Sequence, residues 1–429
     1  MPTHSENSLL AELRWRGFLE ATTSEELDAH LSAARRTIYV GFDPTADSLH
    51  LGSLVPVMAL AHAQRRGHRP LAIVGGGTGL IGDPSGKSAE RMLLSREDTE
   101  RNASAIGRQL GKFFDLSTPE RGLLVNNADW LLPLRLVEFL RDIGKHFSVN
   151  EMMKRDSVRT RLEEREHGIS YTEFTYMLLQ AYDFLHVSRH LNCTIQMGGR
   201  DQWGNIVSGI ELIRRVTGQP AFGITTPLLM TSTGKKFGKT EEGAVWLDPQ
   251  RTSPYQMYQY WLQTADADVV AYLKLFTFLD SARIAALERD VAAHPEKREA
   301  QRVLAFECTA IVHGVDAARA AEAASRILFG ESVEAATPQT IATLAREVPT
   351  TEVPAADIET GIGLVDLVMR TGLAESKAAA RRLIEGGGVY VYNERQNSPQ
   401  RTLASADLKW EGAILLRTGK KNFHLAVIR

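Results

Sequence analysis

At 429 residues, 43% apolar and 24% charged, the chain is longer than one ordinary domain and reads as two or three. No stretch approaches the roughly 20 apolar residues of a membrane span, and two cysteines far apart in sequence, Cys193 and Cys308, exclude a disulfide framework and a cysteine-rich zinc site. The net charge of −2 excludes a protein that coats a polyanion with its whole surface, yet residues 361–429 carry eleven Lys and Arg against six Asp and Glu, leaving −7 on residues 1–360, the pattern of a basic tail that meets a polyanion locally.

The N-terminal stretch MPTHSENSLLAELRWRGFLE has no basic cap followed by an apolar run, and Glu6, Glu12 and Glu20 interrupt it, so a cytoplasmic protein without a targeting segment is expected. RTIYVGFDP and RPLAIVGGGTG are short β-branched runs closed by glycine or proline, and the apolar-periodic LVPVMALAHAQRRG lies between them. Strand, helix, strand predicts a βαβ unit. The expected fold is therefore α/β, a Rossmann-like doubly wound parallel sheet with ligands at the carboxyl ends of its strands. CTIQMGG and AFGITTPLLM predict later strands of the same domain, residues 1–230, with a helical region inserted at about 126–190. From TSPYQMYQYWLQ onward, apolar spacing of three and four predicts an all-helical unit over 251–330. Residues 331–360, with three prolines and weak periodicity, read as a linker. SKAAARRLIEGGGVYVYNE then predicts a helix, a glycine turn and a strand in a small α+β unit over 361–429.

Three glycine-rich signals compete. GTGLIG, Gly77 to Gly82, has dinucleotide-binding spacing, but it follows the second strand and is itself followed by Asp83, a carboxylate where a pyrophosphate would sit. GDPSGKS, Gly82 to Ser88, is one residue short of a P-loop, and Pro84 removes a backbone donor. TSTGKKFGKTEEG, residues 231–243, sets three lysines among glycines after the last predicted strand, suited either to a solvated loop or to one that carries ammonium groups to a polyphosphate.

The segments GFDPTADSLHLGS, GLIGDPSGK, YTEFTYMLLQAYDF, GGRDQWGN, KFGKTEEGAVWLDP and SKAAARRLIEGGGVYV follow one another as in bacterial tyrosyl-tRNA synthetases, and the sequence resembles that family from about Leu10 to its end. The resemblance implies a class I catalytic domain, a "KMSKS"-type loop at 231–250, a helical anticodon-binding domain and an S4-like RNA-binding domain. It implies ATP as substrate with Mg2+ on its phosphates, L-tyrosine and tRNA(Tyr) as partners, no metal held by the protein itself, and a homodimer formed through the insertion. Thr45, His50, Lys236 and Lys239 match the residues that meet the phosphates during catalysis. Asp43, Gly52, Ser53, Gly199 and Asp201 complete the ATP set, with Asp201 on the ribose. Tyr39 and Asp183 match the partners of the phenolic hydroxyl; Asp83, Tyr176 and Gln180 surround the ammonium, and Gln196 and Gln202 lie near the substrate backbone and carboxylate. Asp83, which spoils a dinucleotide site, suits an amino-acid ammonium. The steps Glu173, Tyr176, Gln180, Asp183 place four polar side chains on one helix face between apolar neighbours.

For tRNA the candidates are Lys377, Arg381, Arg382, Arg417, Lys420 and Lys421, with Arg155, Arg159, Arg161 and Arg165 for the acceptor stem, although Glu163, Glu164 and Glu166 interleave as in ordinary helix ion pairs. Three positions depart from the family's commonest pattern. Ser53 replaces a second histidine, Val40 stands where a small polar residue is usual, and Lys235 adds a charge. A non-catalytic RNA-binding relative and a tryptophanyl-tRNA synthetase are the rivals; the first has no use for Lys236, Lys239, Asp83 and Asp183, and the second normally lacks the S4-like tail.

Overall fold

In the computed structural model, residues 8–85, 93–155, 158–159, 162, 168–234, 237–240 and 243–429 are described. The strands β1 (Ala21–Thr22), β2 (Thr37–Phe42), β3 (Arg69–Val74), β4 (Leu123–Asn126), β5 (Cys193–Gly199) and β6 (Phe222–Thr226) form one sheet in the order β1-β6-β5-β2-β3-β4. All neighbours are parallel except β1, which runs antiparallel to β6. β2 is buried at every residue but Gly41, which explains its β-branched and aromatic run without polar alternation: helices cover both faces of such a sheet. Chain growth proceeds outward from β2 to β3 and β4, then restarts at β5 and β6 on the other side. The order reverses between β2 and β5, and a crevice opens there at the carboxyl ends of the strands.

The crossover helix Leu54–Arg65 buries nine of its twelve residues. The helix Tyr171–Leu191 starts at Ser170, whose hydroxyl accepts from Glu173 N at 3.3 Å, and ends at Asn192 in the left-handed region, φ 52°.

The chain divides into two compact units, residues 1–252 with 265–300, and residues 253–264 with 301–429. The expected boundary at 230–251 therefore shifts. Helices Asp266–Phe276 and Ser281–Ala293, expected in the helical unit, group with the first one. Arg16 accounts for this: its buried guanidinium donates to the carbonyls of Lys274, Thr277 and Leu279 at 2.8, 3.1 and 2.9 Å, satisfying helix-end acceptors that the chain leaves open. The second unit holds helices Pro254–Leu262, Val315–Leu328, Pro338–Glu347 and Lys377–Glu385. Its five-stranded sheet has the order β12-β11-β14-β15-β9, where β9 is Thr350–Val353, β11 Val389–Val391, β12 Glu394–Gln396, β14 Ala413–Thr418 and β15 Asn422–Ile428. Residues 331–360 are thus more than a linker: they supply the helix Pro338–Glu347, with a Thr337–Thr340 capping box, and β9, which pairs in parallel with the last strand. Among the described residues no helix is long and apolar enough to cross a membrane.

Candidate active site

At the mouth of the crevice, Asp43 follows β2 directly. Tyr176 Oη and Thr78 Oγ1 each donate to its carboxylate at 2.7 Å. The glycine run after β3 makes this approach possible, because a Cβ on Gly75 would lie 2.5 Å from Thr78 Oγ1 and closer still to an Asp43 oxygen. Within the G-x-G-x-x-G spacing itself, a Cβ on Gly79 would lie 2.9 Å from Pro44 Cδ and one on Gly77 3.0 Å from Leu131 Cβ, so these glycines too serve a close approach of side chains to backbone.

Asp183 and Tyr39 lie deeper, 4% and 2% exposed. Asn127 Nδ2 and Trp130 Nε1 donate to the two carboxylate oxygens of Asp183 at 2.8 and 2.7 Å. Burial pushes this carboxyl up to about 7, against the two donors that favour its charged form, and Asp43 adds to the rise. The Tyr39 ring packs edge-on against Phe184 at 5.3 Å, and its hydroxyl is buried without a hydrogen-bond partner among the described residues. Burial, reinforced by Asp183, holds the Tyr39 phenol well above its ordinary value. In β5, Gln196 Oε1 is likewise buried and has no hydrogen-bond partner among the described residues. Polar atoms that are buried and unsatisfied in an otherwise well-bonded core mark a place for a polar ligand.

A second network surrounds Asp83. Gln202 Nε2 donates to Asp83 Oδ2 at 2.6 Å and Ser85 N to Asp83 Oδ1 at 2.9 Å. Asn205 Nδ2 donates to Gln180 Oε1 at 3.0 Å and to Gln202 Oε1 at 3.2 Å. Asp201 stands exposed at the end of β5, its carboxylate beside Gly199. The structure thus brings Asp43, Asp83, Tyr176, Gln180 and Gln202 together at the ends of β2 and β5, with Tyr39 and Asp183 below. It adds Thr78, Asn127, Trp130 and Asn205.

His50, Gly52 and Ser53 lead into the helix Leu54–Arg65. Thr45 and His50 are exposed, Gly52 and Ser53 half-buried, and Val40 is buried in β2. The segment after the lysine loop pairs with this signature: Leu51 N donates to Val245 O at 2.9 Å and Leu247 N to Leu49 O at 2.8 Å, with His50 opposite Trp246. Arg251 stacks over the Trp246 ring at 3.4 Å and meets Asp47 at 2.7 Å. Gly52 has no Cβ because one would fall 2.8 Å from His50 Cε1. Lys235 and Lys236 lie outside the described residues; Lys239 is described only as backbone in the short strand Lys239–Thr240.

In the second unit, Arg381 and Arg382 are exposed on the helix Lys377–Glu385, whereas Lys377 pairs with Asp366 at 2.6 Å. Arg417 is half-buried, its guanidinium 3.9 Å over the Tyr390 ring across the β11–β14 pair, so part of its work is in the sheet. Lys420 and Lys421 are exposed, and Lys421 lines a groove of about 710 Å³ with Tyr255, Phe329, Phe423 and His424. Of the acceptor-stem candidates Arg155 and Arg159 are described; Arg161, Arg165 and the interleaved glutamates are not.

A mainly parallel sheet with the His50 signature at its switch point and a buried cluster of carboxyl, phenol and amide groups below it is the arrangement of a class I aminoacyl-tRNA synthetase. Residues 32–330 match the family of tRNA synthetases class I (W and Y), and residues 340–426 match the tyrosine–tRNA ligase SYY-like C-terminal domain. The chain is 51% identical over 420 residues to the tyrosine–tRNA ligase of Roseiflexus castenholzii, covering 97% of this chain and 99% of the relative. It is 50% identical over 434 residues to that of Desulfosudis oleivorans, with 98% and 99% covered. A C-terminally truncated mitochondrial tyrosyl-tRNA synthetase from Aspergillus nidulans superposes with a TM-score of 0.68 at 32% identity, over 75% of this chain and 94% of that one. The chain belongs to the tyrosine–tRNA ligase family.

Proposed function

We propose that the chain activates L-tyrosine with ATP to tyrosyl-adenylate and pyrophosphate and then transfers the tyrosyl group to the 3′ end of tRNA(Tyr). The observation that carries the amino-acid choice is the buried pair Asp183 and Tyr39: a carboxylate held from behind by Asn127 and Trp130, and a phenol whose hydroxyl has no partner among the described residues. A substrate hydroxyl placed between them donates to Asp183 and accepts from Tyr39. Phenylalanine would leave the Tyr39 hydroxyl and a lone pair of Asp183 unsatisfied, which a site of this kind rejects by about 10⁴–10⁵-fold.

Asp83 and Gln180, with Tyr176, receive the substrate ammonium, and Gln196 and Gln202 steer its carboxylate toward the α-phosphorus. A carboxylate oxygen forms the new bond to that phosphorus as the bond to the β-phosphate breaks and pyrophosphate leaves. A terminal ribose hydroxyl then attacks the tyrosyl carbonyl carbon, and AMP leaves. Neither step needs a covalent bond to the protein. Asp43, Gly52, Ser53, Gly199 and Asp201 hold the nucleotide; Thr45, His50, Lys236 and Lys239 supply donors and positive charge where negative charge grows on the phosphates, lowering the transition state more than the ground state. Magnesium is expected on those phosphates, where it would offset their charge.

Arg381, Arg382, Lys420 and Lys421, with Lys377 and Arg417 beside them, offer the second unit's contacts to tRNA phosphates. The insertion favours a homodimer: Leu136 and Val137 are 71% and 75% exposed, with Leu140, Val149 and Met153 exposed nearby, an apolar surface that a second copy would cover. The resemblance to the bacterial relatives supports a cytoplasmic setting and the division into catalytic, loop, anticodon-binding and S4-like parts. Charging of purified tRNA(Tyr) with labelled tyrosine tests the proposal: ATP-dependent charging of tRNA(Tyr) but not of tRNA(Trp) is expected, and failure to charge tRNA(Tyr) overturns it.

A further inference from the structure

The helix that carries Asp183 also carries, one turn on, a side chain for which the reading above has no use. His186 lies flat on the Trp130 indole, ring centroids 4.4 Å apart and planes 12° from parallel. Trp130 belongs to the four-residue helix Ala128–Leu131 after β4, too short to fix an indole by itself, and its Nε1 donates to Asp183 at 2.7 Å. From this arrangement we infer that His186 is a positioning residue for tyrosine recognition: its ring is the plate that holds the Trp130 indole edge-on to Asp183, so that Oδ1 stays paired with Trp130 while Oδ2, which also accepts from Asn127, keeps a second lone pair for the substrate phenol. The inference rests on the assignment of Asp183 to that phenol.

Three features support the role. Positions 183 and 186 share a helix face, so the acceptor and the plate for its donor move as one body. Offset-parallel rings at this separation are a favourable arrangement for a neutral imidazole on an indole, and His186 is held neutral, its pKa down near 4 through burial and the neighbouring His190. The plate is in turn walled in, with His190 at 4.4 Å and Tyr182 at 6.4 Å between centroids, so the ring has packed neighbours beyond the indole.

Loss of the plate frees the indole to rotate, and Asp183 then loses one of the two donors that stabilise its charge. The other groups facing Asp183 are Asn127 after β4, Tyr39 in β2, Asp43 at the end of β2, and Tyr176 and Tyr182 on its own helix; of these only Asn127 donates to it. Its acidic limb therefore moves upward when Trp130 is lost.

The test compares His186→Ala, His186→Phe, Trp130→Phe and the double variant His186→Ala/Trp130→Phe by tyrosine-dependent ATP–pyrophosphate exchange from pH 6 to 9, with circular dichroism as a check on folding. His186→Ala is expected to raise KM for tyrosine on the order of tenfold, to leave KM for ATP unchanged and to move the acidic limb of kcat/KM for tyrosine to higher pH. His186→Phe, which keeps a flat ring, should restore most of the loss, and the double variant should be no worse than Trp130→Phe. An unmoved limb in His186→Ala, or losses that simply multiply in the double variant, would overturn the inference. Absence of tyrosine-dependent exchange in the unmodified protein would instead refute the reading on which it rests.

Discussion

Gly75→Ala isolates the close approach on which the mouth of the site depends. The added methyl would stand 2.5 Å from Thr78 Oγ1 and nearer to an Asp43 oxygen, whereas ordinary contact begins at 3.4 Å. The carboxylate must therefore withdraw by about 1 Å, enough to break or lengthen the two 2.7 Å bonds from Thr78 and Tyr176. Hydrogen bonds to a charged group contribute about 1.5–3 kcal/mol each, but Asp43 is half-buried and water recovers part of the loss, so about 2 kcal/mol is the expected net cost to the site, roughly 30-fold in rate. Tyrosine-dependent ATP–pyrophosphate exchange reads this directly as a fall in kcat/KM, with circular dichroism melts to separate it from unfolding. A folded Gly75→Ala protein with unchanged exchange would refute the placement of Asp43 in the working site.

Removing the buried Asp183 carboxyl should change how stability depends on pH. Because its folded value is about 7, above the ordinary carboxylate value of 3.8, the folded chain binds more protons than the unfolded one between about pH 4 and 7, and stability falls as pH rises through that window. In Asp183→Asn this part of the slope should vanish, so that its melting temperature gains on the unmodified protein from pH 5 to pH 8; a parallel pair of curves would contradict the assignment. Arg16→Met strips the donors from the carbonyls of Lys274, Thr277 and Leu279 and removes a partner of Glu12, and urea unfolding should report a loss of about 3 kcal/mol, typical of breaking a buried charged network. At the N-terminus of the helix Leu54–Arg65, Ser53 makes no capping bond with its side chain, so it is free to face the nucleotide directly or through water. Ser53→His should raise kcat/KM for ATP by about 5- to 30-fold, the equivalent of about 1–2 kcal/mol; no gain would mean that the site is built around serine.

How far the sequence discloses this architecture differs from element to element. β2 and β3 are legible because a strand covered on both faces must be apolar throughout and must stop where the chain turns, and both runs end at glycine or proline. β9 was hidden: TTEV has mixed polarity, and its strand character comes from pairing with β15, more than seventy residues on. The helices after residue 265 were legible as helices, but their membership of the first unit depends on Arg16, 258 residues from the carbonyl of Lys274. In the site, the polar face Glu173, Tyr176, Gln180, Asp183 shows in the spacing because one helix carries it. Asn127, Trp130 and Asn205 do not show, because each acts through a side-chain bond to another segment, and no local pattern records a partner about 25 to 56 residues away.

A buried acceptor, Asp183, and a buried phenol without a partner among the described residues, Tyr39, select tyrosine. Exchange of pyrophosphate into ATP, measured with the full chain and with tyrosine, phenylalanine and tryptophan in turn, tests it most directly. Robust exchange with tyrosine and a preference over phenylalanine of about 10⁴-fold or more are expected, with no measurable exchange on tryptophan. Comparable kcat/KM for tyrosine and phenylalanine, or a preference for tryptophan, would contradict it.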